Sequence, residues 1–316
     1  MVSVCCYSPQ SYVDTYACIC LPQRLYNSSF LARYEESRYA HSASALRQDR
    51  IVNTQKSAGI DVDGYILTVA DGPIQPEFQP LLTDICATLS RPELGLHGIY
   101  LYGSIARGEG EIGISDLDLS LILVEPPDAP VLEQLESARL ALEQRHPQVT
   151  KIDFDIGHRA QVLAPENRNR WGFWLKHHCR CLWGEDLSLH FEPFRPSRAI
   201  ALAVNGDFEQ ALTAYLVGIE QASTEHVRHR LQREASRALI RATHTLRAQD
   251  AQTWPQTLED YVGLFVQHYP TMRVQIAYFL FEARNPSAEG EAFTTRLRAF
   301  LSWMVSALIE RNQSDA

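Results

Sequence analysis

The sequence predicts an α+β chain, a small mixed-sheet domain followed by an all-α helical bundle. Three observations carry this reading. Short apolar or alternating stretches at residues 99–102, 116–124 and 150–156 have strand character, and helical periodicities at 76–89 and 131–145 separate them. A proline-punctuated run, Phe191-Glu-Pro-Phe-Arg-Pro-Ser, then interrupts the pattern. Beyond it the stretches 199–204, 208–221, 225–248, 258–268, 272–282 and 293–311 all read as helices joined by short connections. The expected organisation is a poorly structured extension over residues 1–60, a mixed-sheet domain over 61–190 and a helical bundle over 191–316.

Composition bounds the function classes. The chain has 316 residues, is 45% hydrophobic and 21% charged, and carries a net charge of −9. Such a balance offers no nonspecific attraction to a polyanion, so a nucleic-acid partner is disfavoured. Between Glu93 and Ala164 there are 12 acidic residues against 5 Lys or Arg, whereas from Arg195 onward the two kinds are equal. Lysine occurs only at Lys56, Lys151 and Lys176, so a cation that grips an anionic ligand is expected to be an arginine or one of the last two lysines. No apolar run is long enough to span a membrane, and the first residues lack the basic and apolar regions of a secretory signal, which gives a cytoplasmic expectation. Seven cysteines without a disulfide framework read as thiols, and the spacing of Cys5, Cys6, Cys18 and Cys20 is unlike a zinc finger or ribbon.

Residues 1–60 show no sustained period of 2 or 3.6. The stretch YILTVA reads as a short strand, followed by a turn at Asp71-Gly72-Pro73. A helix over 76–89 then gathers Phe78, Leu81, Leu82, Ile85 and Leu89 on one face. The segment 98–124, GIYLYGSIARGEGEIGISDLDLSLILV, is an apolar strand, a Gly-Ser turn and a second strand that opens on Asp116 and Asp118. Alternation puts Asp116, Asp118 and Ser120 on one face and Leu117, Leu119, Leu121 and Leu123 on the other. Two carboxylates side by side repel unless a cation stands between them, and oxygen ligands favour a hard divalent ion, most often magnesium.

In TKIDFDI, Ile152, Phe154 and Ile156 take one face while Asp153 and Asp155 take the other. The run Trp171-to-Trp183 reads as a helix ending at Gly184. His177, His178, Cys179 and Cys181 invite a metal site, but adjacent helical residues diverge by about 100°, so a packed helix end is expected instead. From that helix Lys176 is placed to reach a phosphate.

Gly103-Ser104, Arg107-Gly108 and Ser115-Asp116-Leu117-Asp118, in that order between apolar strands, resemble the signature of the polymerase-beta-like nucleotidyltransferase superfamily. The resemblance spans roughly residues 75–190 by motif, with kanamycin-type members also carrying a helical second domain. It implies a magnesium-dependent nucleotidyltransferase that moves a nucleoside monophosphate from an NTP, with ATP the first choice, to a hydroxyl and releases pyrophosphate. Two Mg2+ ions would be held by Asp116, Asp118 and a third carboxylate on the next strand, with Asp153 the first choice and Asp155 the second. Gly103, Ser104, Arg107 and Ser115 would face the nucleotide, together with Lys176. A small hydroxylated acceptor of aminoglycoside type suits an acidic cleft. Transfer to a protein or a tRNA end, as in toxin–antitoxin pairs, is the alternative, and a non-catalytic nucleotide-binding module is a third. No membrane partner is expected, and a homodimer is compatible with the sequence.

In the helical half, Arg230, Arg233, Arg237 and Arg241 recur at spacings of three, four and four. They form one stripe, which sequence alone reads first as a solvated basic face and second as a wall of the catalytic cleft.

Overall fold

The computed structural model describes residues 59–69 and 72–314, all of which belong to one compact unit. The expectation for residues 1–60 therefore lies almost wholly outside the described residues, as do the cysteines at 5, 6, 18 and 20 and the first residue of the turn at Asp71-Gly72-Pro73.

The sheet half begins with a 3-10 turn, Pro76–Phe78, and helix α1, Gln79–Leu89. Its five anticipated apolar residues are all buried. Strand β1 (Leu96–Tyr102) leads into a helical turn, Gly103–Ala106, and then to β2 (Leu117–Leu123). Helix α2 (Ala129–Arg145) starts where the Asp128 side chain accepts a bond from the backbone N–H of Val131. It crosses over to β3 (Ile152–His158), which is followed by α3 (Arg159–Leu163) and α4 (Phe173–His178). The sheet is mixed, in the order β3-β2-β1-β4: β1 runs antiparallel to both β2 and β4, and β2 runs parallel to β3.

Strand β4 (Arg180–Gly184) corrects the expected helix through Trp183. The helix stops because Cys179 takes extended backbone angles, φ −109° and ψ 155°. Arg180, Cys181 and Trp183 then pair with the free edge of β1, which supplies hydrogen bonds that a solvated helix end would lack. Gly184 closes the pairing at φ 91°, so near β1 that a Cβ there would stand 2.1 Å from the His97 carbonyl oxygen. The expected YILTVA strand is also corrected. Ile66 makes a single bridge with Ile60, while its N–H bonds the Phe194 carbonyl and that of Val69 bonds the His177 carbonyl. Its partners are a helix end and the proline-rich run rather than a ladder.

Alternation holds in β2. Leu117, Leu119, Leu121 and Leu123 pack with Ile99, Leu101 and the apolar faces of α1 and α2. Each fully buried leucine is worth about 1.5–3 kcal/mol, so a one-residue slip, which would turn all four to the other face, is strongly disfavoured. On the opposite face Tyr100 and Ile122 pack against Trp171, Leu175 and Leu187, leaving Asp118 and Ser120 on that side.

The helical half comprises α5 (Arg198–Asn205), α6 (Phe208–Glu220), α7 (Glu225–Ala242), α8 (Leu258–His268), α9 (Arg273–Glu282) and α10 (Gly290–Ser314). Helix α7 stops at Ala242 and tightens to a 3-10 turn, Thr243–Leu246, before the expected end at 248. Leu212, Leu239, Phe279, Phe293 and Met304 share one buried core. The proline-punctuated run is itself packed: Phe194 is buried with Phe173, Ile200 and Trp254.

Candidate active site

The site is built around Gly103. Its φ of 79° belongs to the left-handed region, and a Cβ there would stand 2.1 Å from Asp118 Oδ2. The turn therefore approaches the carboxylate as only glycine permits. Ser104 Oγ donates to Ser115 Oγ at 3.3 Å, and Ser115 Oγ accepts from the Glu111 N–H at 2.9 Å, which ties the turn to the start of β2. Arg107 points outward and pairs with Glu109 at 2.8 Å.

Register sets the acidic group. Asp118 stands opposite Asp153 across the parallel strands, and Ser120 stands opposite Asp155. Asp116, just before β2, accepts a short hydrogen bond from the Thr150 hydroxyl. Burial, then the charge of Asp153, then that of Asp116 push the Asp118 carboxyl up to about 6. Asp153 is paired with Lys151 at 2.7 Å. Asp155 lies one register step further along, where burial raises its pKa while Arg170 and the Ser120 hydroxyl oppose that rise. Trp174 Nε1 donates to Ser120 Oγ at 3.3 Å. The two strand carboxylates that the sequence could not separate thus have different neighbours: Asp153 faces Asp118, and Asp155 faces Ser120.

Helix α7 comes close to the acidic group through Glu234. Lys151 lies between Asp153 and Glu234, 3.9 Å from the latter, and Arg230 is also 3.9 Å from Glu234. Arg241 and Lys151 both favour the ionised form of Asp118. Burial, then Arg241 and Arg233, lower the pKa of Arg237, while Asp116 and Asp118 counteract this. Within the arginine stripe, Arg237 Nε donates to the Ala283 carbonyl at 3.3 Å, while Arg241 is exposed and its charge acts on Asp118. Tyr102 pairs with Asp118 across β1 and β2, and burial followed by the Asp118 charge raises its pKa. Burial and the charge of Glu234 push Tyr215 up to about 12. Asp155 is exposed to solvent although protein atoms crowd round it.

Among the described residues no three His, Cys, Asp or Glu side chains are gathered for a single metal ion. The donors that a hard cation requires are nevertheless present as carboxylate oxygens, and burial, followed by the charges of Asp153 and Asp116, raises the pKa of Asp118. On donor chemistry Asp116, Asp118 and Asp153 fit magnesium. An Asp116 oxygen is turned to Thr150 and an Asp153 oxygen to Lys151, and both would have to rotate to share an ion with Asp118.

Of the residues singled out in the sequence, Gly103, Ser104, Ser115, Asp116, Asp118 and Asp153 come together, with Asp155 beside them. Arg107 braces its own loop. Lys176 Nζ lies 3.5 Å from the Ser188 carbonyl. His177 accepts from the Phe194 N–H at 2.9 Å, and burial lowers its pKa to about 4, a structural role. Sequence reasoning gave Tyr102, Tyr215 and Glu234 no role. Glu234 could have been found as the acid four residues after Arg230 within the stripe, whereas nothing in the sequence marks the tyrosines.

No family model and no curated protein sequence matches this chain. One similar solved structure is that of spectinomycin adenyltransferase AAD(9) from Enterococcus faecialis, with ATP and spectinomycin. It is 14% identical at a TM-score of 0.49, over 72% of this chain and 98% of that one. So slight a likeness bears on neither activity nor substrate, which rest on the geometry of this chain.

Proposed function

We propose that the protein is a magnesium-dependent nucleotidyltransferase that transfers a nucleoside monophosphate from an NTP, ATP first, to a hydroxyl of a small acceptor. The observation that carries this reading is the in-register opposition of Asp118 and Asp153, with the Gly103 turn pressed against Asp118. Residues 61–190 are assigned as the catalytic domain and 191–316 as the helical domain that closes the cleft.

Asp116, Asp118 and Asp153 would hold two magnesium ions. When bound, these ions supply charge neutralisation at the triphosphate and lower the pKa of the attacking hydroxyl. The acceptor hydroxyl gives its proton to solvent as its oxygen forms a bond to the α-phosphorus, the bond from α-phosphorus to the bridging oxygen breaks, and pyrophosphate leaves with the electron pair. Catalysis of such a transfer is chiefly positioning and charge stabilisation. Gly103 allows close approach of the phosphates, and Ser104 and Ser115 fix the turn. Arg237 and Arg241, opposite the carboxylates, are assigned to the charge of the triphosphate. Asp155 and Glu234 remain on the acceptor side of the cleft, where a cationic acceptor would be favoured.

The test is pyrophosphate release from ATP, GTP, CTP and UTP with magnesium across a panel of hydroxylated acceptors. Release that needs acceptor and magnesium supports the reading. Nucleotide binding without release across small acceptors, proteins and tRNA would leave a binding module instead.

A further inference from the structure

The lysine that pairs with Asp153 stands beside a second acid. Lys151 Nζ is 2.7 Å from Asp153 Oδ1 and 3.9 Å from Glu234 Oε1 on α7. The first distance is a hydrogen bond and the second is not. Glu234 Oε1 is buried and accepts no hydrogen bond. Arg230 Nε lies 3.9 Å from the same oxygen and is itself buried without a partner, so it leaves the oxygen unsatisfied. Solvent does not reach Oε1, and no water fits between groups 3.9 Å apart, so any donor to it has to come from these neighbours. A buried acceptor without a donor is costly.

The main chain at Lys151 is pinned. Its carbonyl accepts from the Leu117 N–H at 2.9 Å, and the next residue, Ile152, donates its N–H to Glu143 Oε1 at 2.8 Å. The ammonium, by contrast, rides on a flexible four-carbon stem with three N–H donors. It can pass from one acid to the other while the backbone stays in place. Lys151 remains charged there: burial works against the charge, but the bond to Asp153 and the charge of Glu234 raise its pKa overall.

Under the nucleotidyltransferase reading, on which this inference rests, Asp153 also takes a divalent cation. An ammonium and a dication on one carboxylate repel each other. The ammonium then has to leave, and Glu234 is the acid beside it with an oxygen that lacks a donor. We propose that Lys151 is a positioning residue that exchanges between two acids, holding Asp153 until metal binds and passing to Glu234 when it does. Lys151 thereby competes with the metal for Asp153, and Glu234 favours metal binding by receiving the released ammonium.

Mn2+ alone, without nucleotide or acceptor, is titrated into the full chain and its binding followed by the EPR signal of the free ion. K151M should bind Mn2+ about threefold or more tighter than the parent, and E234Q weaker by a similar factor. In the double variant most of the E234Q effect should vanish, because no lysine is left for Glu234 to receive. If E234Q weakens binding as much in the K151M background as in the parent, Glu234 acts through its field alone and the exchange is overturned. K151M that binds no tighter than the parent overturns it as well. Parent crystals soaked in Mn2+ give a readout that needs no variant: Lys151 Nζ should lie within hydrogen-bond distance of Glu234 and away from Asp153. An ammonium still on Asp153 beside bound Mn2+ sinks the proposal. Mn2+ that binds the parent and is lost in D118N, with the lysine unmoved, removes the exchange alone, whereas a parent that binds no Mn2+ removes the metal reading with it.

Discussion

Asp153 is clasped by Lys151 at 2.7 Å, while Asp118, its register partner on the neighbouring strand, has its carboxylate pressed against the Cα of Gly103. One acid of the pair is neutralised by a lysine and the other is left to raise its pKa.

That imbalance fixes a pH dependence. Asp118 titrates near 6 in the folded chain against 3.8 as its ordinary value. The folded state therefore holds the proton more tightly than the unfolded chain does. Its contribution to stability is fully present below pH 3.8 and is lost as pH rises through 6. Two pKa units correspond to about 3 kcal/mol as an upper bound. Asp118→Asn should remove this slope, so the difference in Tm between parent and variant should widen in favour of the variant from pH 4 to pH 7. The same variant should lower nucleotide transfer by about 10²–10³-fold if Asp118 holds the metal. Parallel pH–Tm curves would show that Asp118 is not so perturbed.

Gly103→Ala combines two penalties. A positive φ costs a non-glycine residue about 1–2 kcal/mol, and the methyl group must displace Asp118 Oδ2. Urea unfolding should register the first, and transfer activity should fall well beyond what lost stability explains. Retained activity would separate the turn from the site.

Lys151→Met leaves Asp153 and Glu234 facing each other without the ammonium between them. Lys151 is only partly buried, so a loss of about 1–2 kcal/mol is expected after allowance for solvent screening. A double-mutant cycle with Asp153→Asn should return a coupling near 1 kcal/mol. Additive losses would mean that the contact carries no energy.

Arg241→Ala should raise KM for the NTP about tenfold or more, an estimate from the worth of a charge-assisted hydrogen bond. Arg230→Ala, whose partner is Glu234, should change that KM much less. Equal effects of the two would return the stripe to a solvated face. Steady-state kinetics with saturating acceptor make the comparison.

Much of the site was legible because strand alternation is a property of the chain itself. Leu117, Leu119, Leu121 and Leu123 had to face one way, so Asp116 and Asp118 faced the other, and the same logic turned Asp153 and Asp155 to the cleft. Helix positions were legible for a similar reason, the 3.6-residue period, and α8 ends where its pattern does. The β4 strand was not, because Arg180 to Gly184 carries an apolar content that suits a helix or an edge strand, and only the unpaired side of β1 chooses between them.

What the sequence by itself determined is which residues share a face and in what order the elements come, since both follow from local stereochemistry. Register between β2 and β3, which puts Asp153 rather than Asp155 beside Asp118, was decided only by the packed sheet. The same is true of the approach of Glu234 on α7 to Lys151 beside Asp153. Each depends on which distant segment fills the space nearby, and sequence spacing carries no measure of that distance.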